Sequence, residues 1–128
     1  MGIPENQLAY ELYMTEDQIR TMKRHGMFIG IHGYDHYWLG KLSNEQMRSD
    51  IGKALEIMDE FIDRKKWVMN YPYGNYNDGV LDYIKSEGAC LGLTTVSAKA
   101  DLSTDHPLTL PRIDCVDYPP RSEGYLQY

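Results

Sequence analysis

Four short, continuous apolar runs punctuate this chain: MFIGI (27–31), WVMNY (67–71), ACLGL (89–93) and LTLPRI (108–113). Each is too brief for a helix, and continuous apolar runs of this length suit strands covered on both faces. That is the condition of a parallel sheet wrapped by helices. Helical patterns fill the spaces between the runs. Thr15 and Gln18 form a capping box, and TEDQIRTMKRHG carries that helix to His25–Gly26. His25, in the last turn, complements the helix dipole. Ser43 with Gln46 forms a second capping box. From there Met47, Ile51, Ala54, Leu55, Met58, Phe61 and Ile62 recur at helical spacing, which predicts a helix over 43–63. Val80, Leu81 and Ile84 mark a third helix, stopped by Gly88. Alternating helices and strands predict an α/β fold. Four strands are too few to close a barrel, so the sheet is either small and open or part of a larger barrel.

With 128 residues, 42% of them hydrophobic and 25% charged, the chain is one globular domain's worth of sequence. The α/β domain is expected over 15–118, with an N-terminal extension at 1–14 and a C-terminal tail at 119–128. The stretch SAKADLSTDHP (97–107) reads as polar loop, and no internal repeat is present. A net charge of −6 argues against a nucleic-acid partner, which would require a basic face. No run approaches the ~18 apolar residues of a membrane span. The opening MGIPENQLAYELYM lacks the basic and apolar regions of a secretory signal, so a cytoplasmic location is the default expectation. Cys90 sits in an apolar run and reads as a small buried hydrophobe, and neither it nor Cys115 lies in a CxxC pair. Eleven tyrosines are many for this length; exposed ones suit stacking on sugars, buried ones suit any core.

In parallel α/β folds the site forms where strands give way to the following loops. The run ends here are His32–Gly33–Tyr34–Asp35–His36, then Asn70–Tyr71–Pro72–Tyr73–Gly74, then Thr94–Thr95, then Arg112–Ile113–Asp114. The unusual polar residues therefore converge on one rim. Neutral imidazoles are good ligands for a borderline metal such as zinc, and His32 and His36 straddle a strand end and the first turn beyond it. Two ligands do not suffice; a third, usually a carboxylate, is required. The HExxH motif is a poor match, because it needs a helix and a Glu after the first His, where this chain has Gly33. The plainer reading is a pair of rim histidines hydrogen-bonded to loops.

The motifs in order, HGYDH (32–36), LSNEQMRSDIGKALEIMDEF (42–61), NYPYGNYN (70–77) and LPRID (110–114), resemble those of the polysaccharide deacetylases, the carbohydrate esterases with a NodB homology region. The family's pattern is H-(S/T)-x-x-H, a helix, and a strand ending in R-x-P-(F/Y)-G. The resemblance covers roughly residues 15–115. It implies a (β/α) barrel of the deacetylase type, present here in part and incomplete at the N-terminal side. It implies a metal-dependent hydrolase that removes acetyl groups from an N- or O-acetylated carbohydrate. His32 and His36 would hold a divalent metal, commonly zinc, which polarises the acetyl carbonyl and activates water. Tyr73, through its backbone N–H, and Pro72, by shaping the turn, would form the oxyanion loop. Tyr71, Tyr73 and Arg112 would contact the carbohydrate.

The chain also departs from that pattern. The first motif, Thr-(Phe/Tyr)-Asp-Asp, supplies a general base and the third metal ligand, and no Asp-Asp pair occurs here. The chain begins too late to contain it, which implies weak activity or none for this chain alone. Gly33 replaces a Ser or Thr, Asn70 stands where an Arg is usual, and Arg112 occupies the His slot of the closing L-x-H. His106, beside Pro107, reads as a loop residue rather than a general acid. Asp35, Asp114 or Asp117 could serve as a metal carboxylate, though each is more simply a solvated or capping residue. An incomplete barrel leaves sheet edges unpaired, so the chain is expected to pair with copies of itself or with a missing N-terminal segment. Two further readings compete: a non-catalytic carbohydrate-binding or assembly module on the same fold, and an unrelated small α/β domain with incidental histidines.

Overall fold

A computed structural model describes residues 5–115. Its helices are α1 (Glu5–Leu12), α2 (Glu16–Arg24), α3 (Asn44–Ile57) and α4 (Asp78–Ser86), and its strands are β1 (Trp67–Asn70) and β2 (Ala89–Leu93). The segment expected as an extension at 1–14 carries α1. Asp117 and the tail at 119–128 lie outside the described residues. No described helix is long and apolar enough to cross a membrane.

β1 and β2 pair in parallel, with Val68 opposite Leu91 and Asn70 opposite Leu93. A further lane flanks each strand by a single parallel bridge, Ile31 with Met69 on one side and Leu93 with Leu110 on the other. The four apolar runs thus lie side by side in chain order, but only the two central ones are extended ladders. Sequence predicted four strands, and the two outer ones are corrected to bridges for identifiable reasons. In 108–113, Pro107 opens a short 3-10 turn (Pro107–Thr109) and Pro111 has no N–H to donate. The ladder is therefore confined to Leu110, which donates to Gly92 O (2.8 Å) and accepts from Thr94 N–H (2.9 Å). In 27–31, Ile31 alone exchanges bonds with β1, donating to Val68 O and accepting from Asn70 N–H. Met27 and Phe28 lie exposed before it.

Both predicted capping boxes form. Thr15 Oγ1 accepts from Gln18 N–H while Gln18 accepts from Thr15 N–H, and Ser43 and Gln46 repeat the arrangement on α3. The helix predicted over 43–63 ends earlier, at Ile57. Phe61 and Ile62 follow in a turn whose N–H groups both donate to Met58 O, so the helical spacing of apolar residues continues without a helix. The sequence DEFID is poor in helix formers, and Asp63 then caps the exit by accepting from Lys65 N–H.

The core lies between the sheet and the helices α3 and α4. Ile31, Leu39, Met47, Ile51, Leu55, Trp67, Met69, Val80 and Ile84 share one cluster and are each at most 2% exposed. Helix α2 contributes no buried residue and is tied on by charge, with Arg20 bonded to Glu60 and Lys23 donating to Glu60 O.

Candidate functional site

The chain leaves the Ile31 bridge into His32 and turns at once. Gly33 has φ +75°, where a side chain is strained, and a Cβ there would also lie 3.1 Å from Asp50 Oδ2. The loop that follows is fastened from below. The Asp50 carboxylate, on the buried face of α3, accepts from Tyr34 N–H (3.1 Å) and Asp35 N–H (2.8 Å). Asp50 did not figure among the sequence candidates. Its signal was available: position 50 shares the helix face of Met47, Ile51 and Ala54, where a carboxylate must have a partner.

This loop brings the two histidines together. His32 Nδ1 faces the carbonyl oxygen of Asn70, the last residue of β1. A carbonyl only accepts, so Nδ1 carries the proton and His32 Nε2 presents its lone pair. His36 Nε2 lies 3.0 Å from that atom. Facing that lone pair, His36 Nε2 is the donor of the pair. The separation is also one that two ligands each ~2.0–2.1 Å from a common zinc ion can take. The donor set therefore fits a divalent metal as two of its ligands. Among the described residues no group of three or more His, Cys, Asp or Glu side chains gathers around one point. Asp35, one of the candidate carboxylates, has its backbone N–H held by Asp50.

The second loop meets the first at Tyr73. Its ring stands edge-on to His36 at 4.7 Å and stacks on Trp38 at 4.7 Å with an interplanar angle of 13°. His36 and Tyr73 both have φ 57°. A left-handed backbone at a bulky residue costs about 1–3 kcal/mol and persists where surroundings enforce it, commonly at functional sites. The enforcement is visible. Pro72 is buried, Gly74 N–H donates to Tyr71 O (2.9 Å) and Asn75 N–H to Pro72 O (3.0 Å), and Tyr73 N–H takes part in neither bond. A Cβ on Gly74 would lie 2.1 Å from Thr95 Oγ1, so only glycine lets this turn seat against the end of β2.

The remaining candidates divide. Arg112 reaches the same rim, its Nε donating to Thr94 O (2.9 Å) and its N–H to Val96 O (2.9 Å). Tyr71 does not face a ligand: it is 1% exposed and its hydroxyl donates to Leu108 O (2.7 Å), with burial pushing its pKa upward. Its assignment as a carbohydrate contact is corrected accordingly, because the period-two alternation of strand β1 sends residue 71 into the core with Trp67 and Met69. His106 caps the Pro107–Thr109 turn by accepting from Leu108 N–H and lines a hollow with Asp78 and Asp82 of α4. Cys90 and Cys115 are free thiols.

Two asparagines that sequence reading treated only as loop residues lock the rim. Asn75 Oδ1 accepts from Gly40 N–H, and Asn77, the N-cap of α4, donates to Gly40 O. Open hollows of about 290 and 300 Å³ flank His32, one toward α3 and one along the Ile31 edge. The placing of His36 against Tyr73 counts against an unrelated domain with incidental histidines, since it joins the histidine pair to the aromatic turn.

Comparison with known proteins bears on the same stretch. The family model for polysaccharide deacetylase matches residues 5–91. YxkH of Bacillus subtilis (strain 168), named as a polysaccharide deacetylase, is 28% identical over 88 residues, which is 69% of this chain and 32% of that protein. The structure of the Streptococcus pyogenes deacetylase PplD in complex with acetate superposes with a TM-score of 0.73 at 25% identity, covering 84% of this chain and 47% of that one. The chain thus spans about a third of the one relative's length and about half of the other's.

Proposed function

The chain belongs to the polysaccharide deacetylase family, and on that premise we propose that His32 and His36 hold a divalent metal, zinc first, in the hydrolytic removal of acetyl groups from an N- or O-acetylated carbohydrate. The observation that carries this reading is the convergence of the two Nε2 atoms, 3.0 Å apart, with the His32 tautomer set by Asn70 O. A cation bound there supplies Lewis acidity toward an acetyl carbonyl and a lowered pKa for water. His32 and His36 hold it, Tyr73 offers its backbone N–H toward a developing oxyanion, Pro72 shapes that turn, and Arg112 borders the carbohydrate. PplD, the solved neighbour, is a complex with acetate, the acid such a hydrolysis releases.

The third metal donor and the general base come from outside the described residues. The parallel lanes are one part of a (β/α) barrel, whose open side along 27–31 is completed by further chain or by a second copy. The order of the four lanes and the exposure of Phe28 support this. Zinc titration tests the site. Wild type is expected to bind more tightly than about millimolar, roughly −4 kcal/mol, and His32→Ala and His36→Ala to lose that binding. Acetate release from a chromogenic ester and from acetylated chito-oligosaccharides should fall with it. Undiminished activity in both variants would remove the metal mechanism. A second reading, a non-catalytic carbohydrate-binding module, is favoured by the missing third donor among the described residues; zinc binding weaker than millimolar would select it.

A further inference from the structure

We infer that Trp38 forms a sugar-stacking subsite beside the histidine pair, its open indole face taking the pyranose ring next to the acetylated one. This rests on the carbohydrate reading above. Trp38 is 51% exposed, and Tyr73, equally exposed, covers one of its faces. Two ring-to-ring steps of 4.7 Å connect it to His36, so the indole and the metal-ligating edge form one continuous surface. A large aromatic left half in water beside a candidate site is the unusual feature, since a core role would bury it as Trp67 is buried.

The backbone under Trp38 is fixed. Leu39 is fully buried, Trp38 O accepts from Lys41 N–H (2.9 Å), and Gly40 is bonded by both Asn75 and Asn77. A Cβ on Gly40 would meet the Tyr76 backbone at 2.8 Å, so the two loops interlock without slack. The indole is therefore held in place before a ligand arrives, which reduces the ordering cost of binding. Aromatic faces recognise the apolar C–H face of a pyranose, which is unbroken when the hydroxyls are equatorial.

The test is titration of the full chain with chitotetraose in the presence of EDTA, read by tryptophan emission and by calorimetry. The chain has two tryptophans and Trp67 is fully buried, so a sugar-dependent change reports Trp38. Trp38→Ala should weaken binding by about tenfold or more and Trp38→Phe by less than about threefold. Equal affinity in wild type and Trp38→Ala, or no saturable binding by wild type, overturns the inference. His32→Ala separates the two readings. If it abolishes zinc binding while chitotetraose binding persists, the stacking subsite stands on its own. If wild type releases acetate yet Trp38→Ala binds the sugar as well as wild type does, the subsite falls and the catalytic reading survives.

Discussion

Asp50 is where a single substitution should reach both the stability of the domain and its histidine pair. Changing it to alanine removes the acceptor of two backbone hydrogen bonds, from Tyr34 and Asp35. A hydrogen bond to an ionised partner contributes about 1.5–3 kcal/mol, and an N–H left without an acceptor in a buried position costs about 1–3 kcal/mol. Both side chains on the loop are exposed, so water can reach part of the vacated space and the low end applies. Asp50→Ala should therefore lose about 2–4 kcal/mol of folding stability. Asp50→Asn keeps one oxygen but turns an N–H₂ toward the other donor, and should lose about 1–2 kcal/mol. The assay is urea unfolding with both variants, checking that the slope is unchanged so that midpoints report stability. Because residues 33–35 join the two histidines, freeing them should also loosen the Nε2 pair. Zinc affinity of folded Asp50→Asn is expected to fall about tenfold, the lower end of what losing a hydrogen bond that supports metal ligands costs. A midpoint for Asp50→Ala within about 0.5 kcal/mol of wild type, or an unaltered zinc affinity in a folded variant, would refute the clamp.

Gly74→Ala places a Cβ 2.1 Å from Thr95 Oγ1 at φ +64°, and should cost about 2–4 kcal/mol by thermal or urea unfolding. In a Thr95→Gly background the steric part should be recovered and the backbone part retained. Tyr71→Phe removes the hydroxyl that donates to Leu108 O and should cost about 1–2 kcal/mol at neutral pH. Burial holds the folded pKa of Tyr71 above its unfolded value near 10, so wild-type stability is intact below about pH 10 and falls as pH rises beyond it. Tyr71→Phe should flatten that alkaline decline, leaving the smaller contribution of Tyr83, which is also raised by burial.

Helix starts were legible because their signals are local. Thr15–Gln18 and Ser43–Gln46 act within one turn and form as read. Strand β2 matched its run, 89–93, and it is paired on both edges, with β1 on one side and the Leu110 bridge on the other. What failed were features that the spacing of apolar residues does not carry. The run 108–113 looks like a strand until Pro107 and Pro111 are counted as missing donors in a ladder. Helix α3 was read too long because the apolar spacing runs on through the turn that replaces it. At the site, the histidines and Tyr73 could be placed on one rim from strand ends alone. Whether Tyr71 faced that rim or the core depended on the register of β1, and a one-residue choice of face decides it. The helix-face pattern marks Asp50 as needing a partner, but its clamp on Tyr34 and Asp35 and the interlock of Gly40 with Asn75 and Asn77 join residues up to 37 apart, so the partners themselves are not legible locally.

The partner of His32 Nδ1 is a main-chain oxygen, and this changes what mutation can do to it. Whatever side chain stands at residue 70, the imidazole is oriented by the peptide group that every amino acid brings to that position. Drift in the side chain at residue 70 leaves the proton on the same ring nitrogen. The orientation of the first histidine thus comes with the strand itself, whatever side chain the next lane presents at that position.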